Sequence, residues 1–369
     1  MTSFPYENVP RSLLSTSPGS RDHLVTFSGR DKYVHGITRL RAAWPWPDVM
    51  AILYAGNVPT KMFATPSRLN ALARPSGAFA MIAMDQRESL RGMFAAAGRG
   101  AVGDEVLTEF KRAVARELSP HGSAFLVDRD FGLRGIIDDN LVAPSCAVIA
   151  AADALTMSPG GIVEETALDE VVVGGDFNLT GVQAIKLLVI WRRDERRAAR
   201  VELSRAFIAA ARRLGLVSVL EPVVRATEAE EAAGGFDQSA AIREAARELS
   251  ILQPDLYKVQ MPLGGRGDHD TLVAECRLLD EAIATPWVIL SQGVAIDDFA
   301  GAVRAACVAG ASGFLAGRGL WSDVVGATDL DARLREVSVP RLRALGELVD
   351  ELARPWWVAA AAKGLDVAR

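Results

Sequence analysis

The sequence predicts an α/β protein, a (β/α)8 TIM barrel with an irregular N-terminal extension. From about residue 66, short apolar runs rich in Val, Ile and Leu alternate with amphipathic segments of helical length. Strands of this kind, separated by helices, pair in parallel through right-handed crossovers. Eight such runs occur in the chain, and eight strand–helix units in this length fit a closed barrel.

The predicted strands are Phe79–Met84, Ala124–Val127, Cys146–Ala151, Ala184–Trp191, Leu216–Leu220, Leu256–Met261, Trp287–Leu290 and Gly313–Ala316. The predicted helices include Ala198–Leu214, Ser239–Leu249, Thr271–Ile283, Asp297–Ala309 and Pro340–Leu352. A doubly wound open sheet is the alternative, and it usually carries a glycine-rich turn after its first strand. Here Asp85-Gln86-Arg87-Glu88 follows the first strand, which favours the barrel.

Composition divides the chain into an extension (residues 1–64), the barrel (65–354) and a C-terminal tail (355–369). The extension contains Pro, Ser, Trp and Arg in no clear period. It is either mobile or the product of a start codon assigned too early, with translation beginning near Met62. Mass spectrometry of the native protein separates the two, because a peptide preceding Met62 excludes the second. In the tail, Trp356-Trp357 either covers a hydrophobic edge or forms a subunit contact.

Charge and composition exclude several classes of function. A net charge of −5 without a basic cluster gives no reason to expect nucleic acid as a partner. No apolar run is long enough to predict a membrane span. Three scattered cysteines indicate core packing in a reducing cytoplasm. The histidines lack metal-ligand spacing, so neither a metal nor another cofactor is expected.

A lysine lies in the middle of the sixth predicted strand, within Asp255–Pro262. The chain has only six lysines, so arginine carries most of its surface positive charge. A buried, unpaired ammonium is costly and responds with a lower pKa. A lysine in that state is a nucleophile that can form a Schiff base with a ketone. The alternative is that Lys258 is structural and pairs with a neighbouring carboxylate.

Other ionisable residues fall at strand ends, where a barrel carries its active site. Lys186 lies within the fourth strand, and Asp85 and Glu221 end the first and fifth strands. A second cation would lower the pKa of Lys258 further, and Glu221 could relay protons. The alternatives are an ion network that supports the fold and, for Asp85, a helix cap.

The last two strand ends suit an anion, because they offer backbone N–H groups, a hydroxyl and a guanidinium. Barrels frequently bind phosphate at these two loops. The alternative is that the glycines only make tight turns. The residues predicted to bind substrate are Gln86, Arg87, Ser291, Gln292, Gly293, Gly317 and Arg318.

Together these residues predict a reaction class. A Schiff-base lysine, carboxylates for proton transfer and an anion-binding site predict a metal-independent aldolase. The lysine amine condenses with a ketone, and the resulting iminium accepts the electrons of the carbon–carbon bond that breaks. A barrel that keeps this site but only senses a metabolite is the non-enzymatic alternative, which the intact set of ionisable residues argues against.

The chain resembles the class I aldolases related to tagatose 1,6-bisphosphate aldolase, and most of all their sulfofructosephosphate aldolase branch. The similarity covers roughly residues 66–352. The stretches that carry it are Ser76–Gly98, Lys186–Glu195, Gly215–Arg225, Asp255–Gly267, Pro286–Val294 and Ala311–Gly326.

The resemblance implies a (β/α)8 barrel, a retro-aldol reaction and a Schiff base on Lys258. It implies active-site roles for Asp85, Lys186 and Glu221, and anion binding at Ser291, Gly293, Gly317 and Arg318. The implied substrate is 6-deoxy-6-sulfofructose 1-phosphate, which gives dihydroxyacetone phosphate and 3-sulfolactaldehyde. Tagatose 1,6-bisphosphate or another ketose phosphate is the alternative. A barrel enzyme of this kind is expected to be a cytoplasmic homo-oligomer.

Two residues depart from the pattern that the resemblance implies. Gln260 stands where the family commonly has Glu, and a side chain two residues after Lys258 points to the same face of the strand. The lysine is therefore expected to lack one carboxylate neighbour. Gln292 stands where a small residue is expected, and its size could reshape the anion site.

Overall fold

Eight parallel strands close into a barrel in the computed structural model, which describes residues 68–158 and 162–366. The strands in chain order are β1 Phe79–Met84, β2 Ala124–Val127, β3 Ala147–Ala151, β4 Asp153–Met157, β5 Val163–Leu168, β6 Ala184–Trp191, β7 Val217–Val224, β8 Leu256–Val259, β9 Trp287–Ile289 and β10 Gly313–Ala316. Around the barrel the order is β1, β10, β9, β8, β7, β6, β3 and β2. The predicted (β/α)8 TIM barrel is confirmed, whereas the predicted extension (residues 1–64) lies outside the described residues.

The strands β4 and β5 form an antiparallel hairpin that was not predicted from the sequence. The hairpin lies between β3 and β6 in the chain and stays outside the barrel. Its strands are half-exposed and include Glu164, Glu165 and Thr166. They therefore lack the continuous apolar run by which a doubly covered barrel strand can be identified.

Helices surround the barrel, and the five predicted ones begin and end within two residues of their predicted bounds. The α-helices are Glu88–Phe94, Asp104–Leu118, Leu133–Asp138, Glu170–Val173, Arg197–Leu214, Glu228–Ala233, Gln238–Leu249, His269–Ala282, Phe299–Ala309, Arg318–Trp321, Leu330–Arg333, Val339–Leu352 and Trp356–Ala362. Short 3-10 helices span Arg68–Leu72, Ser119–His121, Ser250–Leu252, Pro262–Gly265 and Ser322–Val324, and π-helices span Ala95–Arg99 and Leu334–Ser338. In the part of the chain that is described, no helix has the length and apolar character needed to cross a membrane.

Side chains along the barrel strands alternate between an inner and an outer apolar layer. On β7, Val219 belongs to the inner layer and Leu220 to the layer beneath the helices. The same alternation places Glu221 on the inward face, and it does the same for Lys186 on β6 and Lys258 on β8. The cysteines Cys146, Cys276 and Cys307 are buried and unpaired, as predicted.

The N-terminal end of the barrel is closed by Trp356, which is 4% exposed. Its ring packs in the inner layer with Leu72 and Phe79, and its Nε1 donates to Asn70 Oδ1 at 3.2 Å. This agrees with the first interpretation of the paired tryptophans, that they cover a hydrophobic edge. Because the N-terminal end is covered, we expect the active site at the C-terminal end of the barrel, here called the mouth.

Candidate active site

Lys258 and Glu221 face each other from neighbouring strands inside the mouth. The Nζ atom of Lys258 lies 2.8 Å from Oε1 of Glu221. Both residues are buried, at 3% and 5% exposure. Because each charge is matched by the other, the pair avoids the cost of an isolated buried ion.

Lys186, on the next strand, is surrounded by carboxylates. Its Nζ lies 2.5 Å from Asp85 Oδ2, 2.8 Å from Asp153 Oδ2 and 3.3 Å from Glu221 Oε2. Burial disfavours the ammonium, but Asp153, Asp85 and Glu221 outweigh burial and raise the pKa of Lys186 well above its usual range. Lys186 is therefore held as a cation. Among the described residues it has three carboxylates at ion-pair distance, and Lys258 has one.

Asp85, directly after β1, pairs with Lys186 and is kept ionised by the charges of both lysines. Burial alone would raise its pKa, but the charges of Lys186 and then Lys258 outweigh burial and hold the pKa of Asp85 well below its usual range. The helix Glu88–Phe94 has Arg87 at its N-cap position and no side-chain cap hydrogen bond. The interpretation of Asp85 as a helix cap is therefore wrong.

Asp153 joins two of the predicted site residues. Its Oδ2 accepts hydrogen bonds from Lys186 Nζ at 2.8 Å and from the Leu188 N–H at 3.1 Å. Arg87 donates to Asp153 Oδ1 at 3.3 Å and to its backbone oxygen at 3.1 Å. Asp153 is 1% exposed, and it fixes the positions of Arg87 and Lys186 relative to one another.

A second buried pair lies behind Arg87. Lys111 donates to Asp128 Oδ2, and neither residue is exposed. The guanidinium Nε of Arg87 lies 3.9 Å from Asp128 Oδ1. Burial lowers the pKa of Lys111 and raises that of Asp128, and the pairing only partly opposes both shifts. Arg87 is thus held between Asp128 and Asp153.

At the ends of β9 and β10, Ser291 and Gly317 build part of the predicted anion site. The Oγ of Ser291 accepts from the Gly319 N–H at 3.1 Å, which leaves its own hydrogen to donate to a ligand. A Cβ at Gly317 would lie 2.7 Å from the Ala83 oxygen and 2.9 Å from Gln86 Nε2. Only glycine fits at this position, and Gln86 lies against it.

Arg318 places a positively charged guanidinium at the same ends of β9 and β10. Within residues 68–158 and 162–366, no carboxylate lies at ion-pair distance from its guanidinium. Burial lowers the pKa of Arg318, and the charges of Glu221 and Asp85 oppose that shift only in part. A guanidinium in this state gains from an anionic ligand. Gln292 is half-exposed and Gly293 is exposed, so both residues lie at the surface of the mouth.

Gln260 has a backbone partner on β7. Its Oε1 accepts from the Val224 N–H at 2.6 Å. Since β8 ends at Val259, the Gln260 side chain takes the place of a strand acceptor and extends the pairing with β7. This contact needs an oxygen at residue 260, and an amide supplies it as well as a carboxylate does.

Comparison with known proteins identifies the family. The model described as "DeoC/LacD family aldolase" matches residues 79–323, which contain all eight barrel strands. The chain belongs to the DeoC/LacD aldolase family. It is therefore an enzyme, a carbon–carbon lyase of the Schiff-base-forming aldolase class.

Proteins of similar sequence and structure support this family assignment. Tagatose 1,6-diphosphate aldolase from Listeria monocytogenes serotype 4a (strain HCC23) is 27% identical over 319 residues, covering 78% of this chain and 92% of the relative. Fructose-bisphosphate aldolase from Plasmodium falciparum has a TM-score of 0.58 at 14% identity, covering 78% of this chain and 94% of that one. The enzyme from Slackia heliotrinireducens has a TM-score of 0.54 at 17% identity, covering 78% and 91%. These two structures support the barrel fold.

In this aldolase, the four residues predicted to be catalytic are in direct contact: Asp85, Lys186, Glu221 and Lys258. Asp128 and Asp153 were not among the predicted site residues. A usable signal was present, because Asp128 directly follows β2 and Asp153 comes two residues after β3 ends. Active-site residues of a barrel lie at the C-terminal ends of its strands, and this rule predicted Asp85 and Glu221. The same rule also selects Asp128 and Asp153.

Proposed function

We propose that this aldolase cleaves a ketose 1-phosphate through a Schiff base on Lys258. The unequal pairing of the two lysines carries the proposal. A lysine must lose a proton before it attacks a carbonyl carbon. Lys258 has Glu221 at 2.8 Å to accept that proton. Lys186 is held as an ammonium by three carboxylates, so it serves as a fixed positive charge.

Formation of the Schiff base conserves charge within the pair. Lys258 transfers a proton to Glu221, and its amine attacks C2 of the open-chain ketose. A second proton then passes from the nitrogen to the C2 oxygen, which becomes a hydroxyl. Glu221 then returns the proton to the C2 hydroxyl, which leaves as water. The products of this step are a cationic iminium on Lys258 and an ionised Glu221.

Carbon–carbon cleavage uses the same carboxylate as a base. The Oε2 atom of Glu221 is buried and accepts no hydrogen bond in the described part of the chain. Lys186 Nζ lies 3.3 Å from it as an ion-pair neighbour, so Oε2 keeps a lone pair that can take the proton of the C4 hydroxyl. As the C3–C4 bond breaks, its electrons neutralise the iminium and give an enamine and an aldehyde. Glu221 protonates the enamine at C3, and addition of water releases dihydroxyacetone phosphate and the lysine. Lys186 and Asp85 hold polar atoms of the substrate.

The C1 phosphate is assigned to the ends of β9 and β10. Support comes from the unpaired guanidinium of Arg318, the free hydrogen of the Ser291 hydroxyl and the close backbone approach at Gly317. Gly293, Gln292 and Gln86 border this site. We assign Arg87 to the same mouth, where it acts on substrate through its contact with Asp153.

For the substrate, we propose 6-deoxy-6-sulfofructose 1-phosphate, which would give dihydroxyacetone phosphate and 3-sulfolactaldehyde. The motif resemblance of Asp255–Gly267 and Ala311–Gly326 supports this assignment. The name of the Listeria relative favours tagatose 1,6-bisphosphate as the second candidate. Both substrates leave the same three-carbon product on Lys258.

Borohydride trapping tests the nucleophile. Dihydroxyacetone phosphate and borohydride should label the wild-type chain at Lys258, as located by peptide mass spectrometry, and Lys258→Met should abolish the label. Lys186→Met serves as the matched control and should keep the label at Lys258. A label on Lys186 in the Lys258→Met chain would overturn the assignment.

A coupled assay for dihydroxyacetone phosphate release tests the substrate. It compares sulfofructose 1-phosphate with tagatose and fructose 1,6-bisphosphates at equal concentration. A higher kcat/KM for the sulfonate supports the first candidate, and a higher value for tagatose 1,6-bisphosphate supports the second. We also propose a cytoplasmic homo-oligomer, which light scattering on the purified chain and cell fractionation would test.

A further inference from the structure

The hairpin of β4 and β5 is joined directly to the active site through its first residue, Asp153. Strand β3 ends at Ala151, so Ala152 alone separates it from β4. The Asp169 N–H closes the base of the hairpin by donating to the Ala152 oxygen at 2.9 Å. From this base the Asp153 carboxylate contacts Lys186 at 2.8 Å. A shift of the hairpin relative to β6 therefore moves the carboxylate that holds Lys186.

Beside this carboxylate, β6 has an edge without a strand partner. Strand β3 pairs with β6 only as far as Lys186. Strand β6 continues to Trp191, and β7 pairs with it over its whole length on the other side. In the part of the chain that is described, no strand pairs with the β3 side of β6 beyond Lys186. The hairpin lies along this free edge, where Asp153 accepts the Leu188 N–H at 3.1 Å.

Two neighbouring glutamates of β5 attach the hairpin to opposite sides of β6. Adjacent residues of a strand point to opposite faces, and Glu164 and Glu165 have partners on different sides. Glu164 Oε2 lies 2.6 Å from Arg192, which directly follows β6 and by strand alternation lies on its inward side. Glu165 Oε1 lies 2.8 Å from Arg200 on the helix Arg197–Leu214, outside the barrel. The free edge of β6 is therefore held between the two carboxylates.

The two attachments differ in their shielding from solvent. The side chains of Arg192 and Glu164 are 18% and 41% exposed, and an ion pair of this kind contributes little stability. The side chain of Arg200 is 4% exposed, and its guanidinium binds Asp194 at 2.5 Å as well as Glu165. Glu165 therefore provides the stronger of the two attachments.

The hairpin depends on these attachments because it lies outside the barrel. An isolated two-stranded hairpin has little stability of its own in water. Ala154, Thr156 and Ala167 are exposed, whereas Leu155 and Leu168 on the opposite face are half-buried. Apolar packing thus holds the hairpin from one side only. We therefore expect its position on β6 to depend on the two glutamate ion pairs.

We propose that Glu164 and Glu165 are positioning residues for the aldolase reaction, which attach the hairpin to both sides of β6. By doing so they hold Asp153 against Lys186. This inference rests on the proposed function, since it takes Lys186 to be the fixed positive charge of the active site.

Detachment of the hairpin changes the charge balance around Lys186. That lysine then keeps Asp85 at 2.5 Å and Glu221 at 3.3 Å as its carboxylate partners among the described residues. Glu221 is also the partner of Lys258, at 2.8 Å. A stronger interaction with Lys186 makes Glu221 a weaker base towards Lys258. The hairpin therefore affects the reaction through this shared carboxylate.

Kinetics of glutamate variants test the positioning role. Glu164→Gln, Glu165→Gln and the double variant keep the size of the side chains and remove their charge. Glu202→Gln is the matched control, because Glu202 pairs with Arg205 on the helix that carries Arg200. We expect the double variant to lower kcat/KM for dihydroxyacetone phosphate release by about 3- to 10-fold, mostly through Glu165→Gln. The control should keep its activity, and an unchanged kcat/KM in the double variant would overturn the proposal.

A double-mutant cycle separates positioning from general support of the fold. If the glutamates act through Asp153, the double glutamate variant should cause no further loss in an Asp153→Asn chain, since the charge that they position is already removed. Losses that multiply in the combined chain would overturn the proposal. Each chain is assayed well below the onset of its thermal unfolding, so that only folded protein is compared.

Hydrogen exchange tests the hairpin independently of catalysis. The Leu188 amide donates to Asp153, so detachment of the hairpin opens this amide to solvent. We expect it to exchange at least about 3-fold faster in the double glutamate variant and in Asp153→Ala, which removes the acceptor, but not in Glu202→Gln. Unchanged exchange in the double glutamate variant would overturn the proposal. If no ketose is cleaved, the proposed function fails, and the exchange rates alone decide whether the glutamates hold Asp153 in place.

Discussion

Asp153 connects Arg87 to Lys186: its Oδ2 accepts from Lys186 Nζ at 2.8 Å, and its Oδ1 accepts from Arg87 at 3.3 Å. The carboxylate also accepts the Leu188 N–H, so its position is fixed by the backbone of β6. A buried charge held at this many points has little freedom to move. Asp153 therefore positions Lys186, the cation next to the proposed Schiff-base lysine, Lys258.

Replacing Asp153 with Asn keeps the shape and removes the charge. We expect kcat/KM for dihydroxyacetone phosphate release to fall at least about 10-fold, because a charge-assisted hydrogen bond to Lys186 is lost. Borohydride trapping at Lys258 should persist, since Asp153 does not contact that lysine. Asp139→Asn, at an exposed pair with Arg112, is the control. An unchanged kcat/KM in Asp153→Asn would show that Asp153 does not position Lys186 for the reaction.

The pairing of Asp85 with Lys186 has a defined dependence on pH. The pKa of Asp85 is held below its usual 3.8 in the folded chain, so its ionisation stabilises the fold at any pH above that value. This contribution is lost as the pH falls below 3.8 towards the folded-state pKa. Lys186 behaves oppositely: its raised pKa gives stability that is complete below 10.5 and is lost at higher pH.

Denaturant unfolding of the wild type and Asp85→Asn at a series of pH values tests this dependence. The difference in free energy of unfolding should be constant between pH 7 and pH 5 and should shrink below pH 3.8. A difference that instead grows on acidification would contradict the lowered pKa of Asp85. Asp139→Asn again provides the control, with a small difference at each pH.

Trp356 stabilises the end of the barrel opposite the chemistry. Truncation to Ala leaves a cavity against Leu72 and Phe79, and a buried Trp→Ala change costs about 3–5 kcal/mol. We expect thermal unfolding to begin at a lower temperature while kcat/KM at 25 °C stays within about twofold. Ile251→Ala, at a side chain that is 67% exposed, should change neither quantity. A large loss of activity in folded Trp356→Ala would show that the two ends are coupled.

The strands could be predicted from the sequence because each is a local apolar run. Lys258 could be placed because it interrupts such a run, and Glu221 because it directly follows one. The contact of Asp153 with Lys186 joins residues 33 positions apart. It depends on the register between β3 and β6, which local periodicity does not specify. The hairpin of β4 and β5 escaped prediction because half-exposed strands carry a weaker pattern. Gln260 was predicted to share the face of Lys258, but the contact of its oxygen with the Val224 N–H joins two strands and could not be predicted from local pattern.

Lys111 and Asp128 form a buried pair that supports Arg87 from behind. Removing one partner leaves the other charge buried without its hydrogen-bonded counterion, which costs up to about 3–5 kcal/mol, whereas removing both together costs less. We expect Lys111→Met and Asp128→Asn each to destabilise the fold strongly, and the double variant to be more stable than the sum of the two losses predicts. Denaturant unfolding of all four chains measures this coupling. The double variant should still lose activity, because Arg87 then keeps Asp153 but lacks Asp128. Additive losses would mean that the two side chains do not act as a pair.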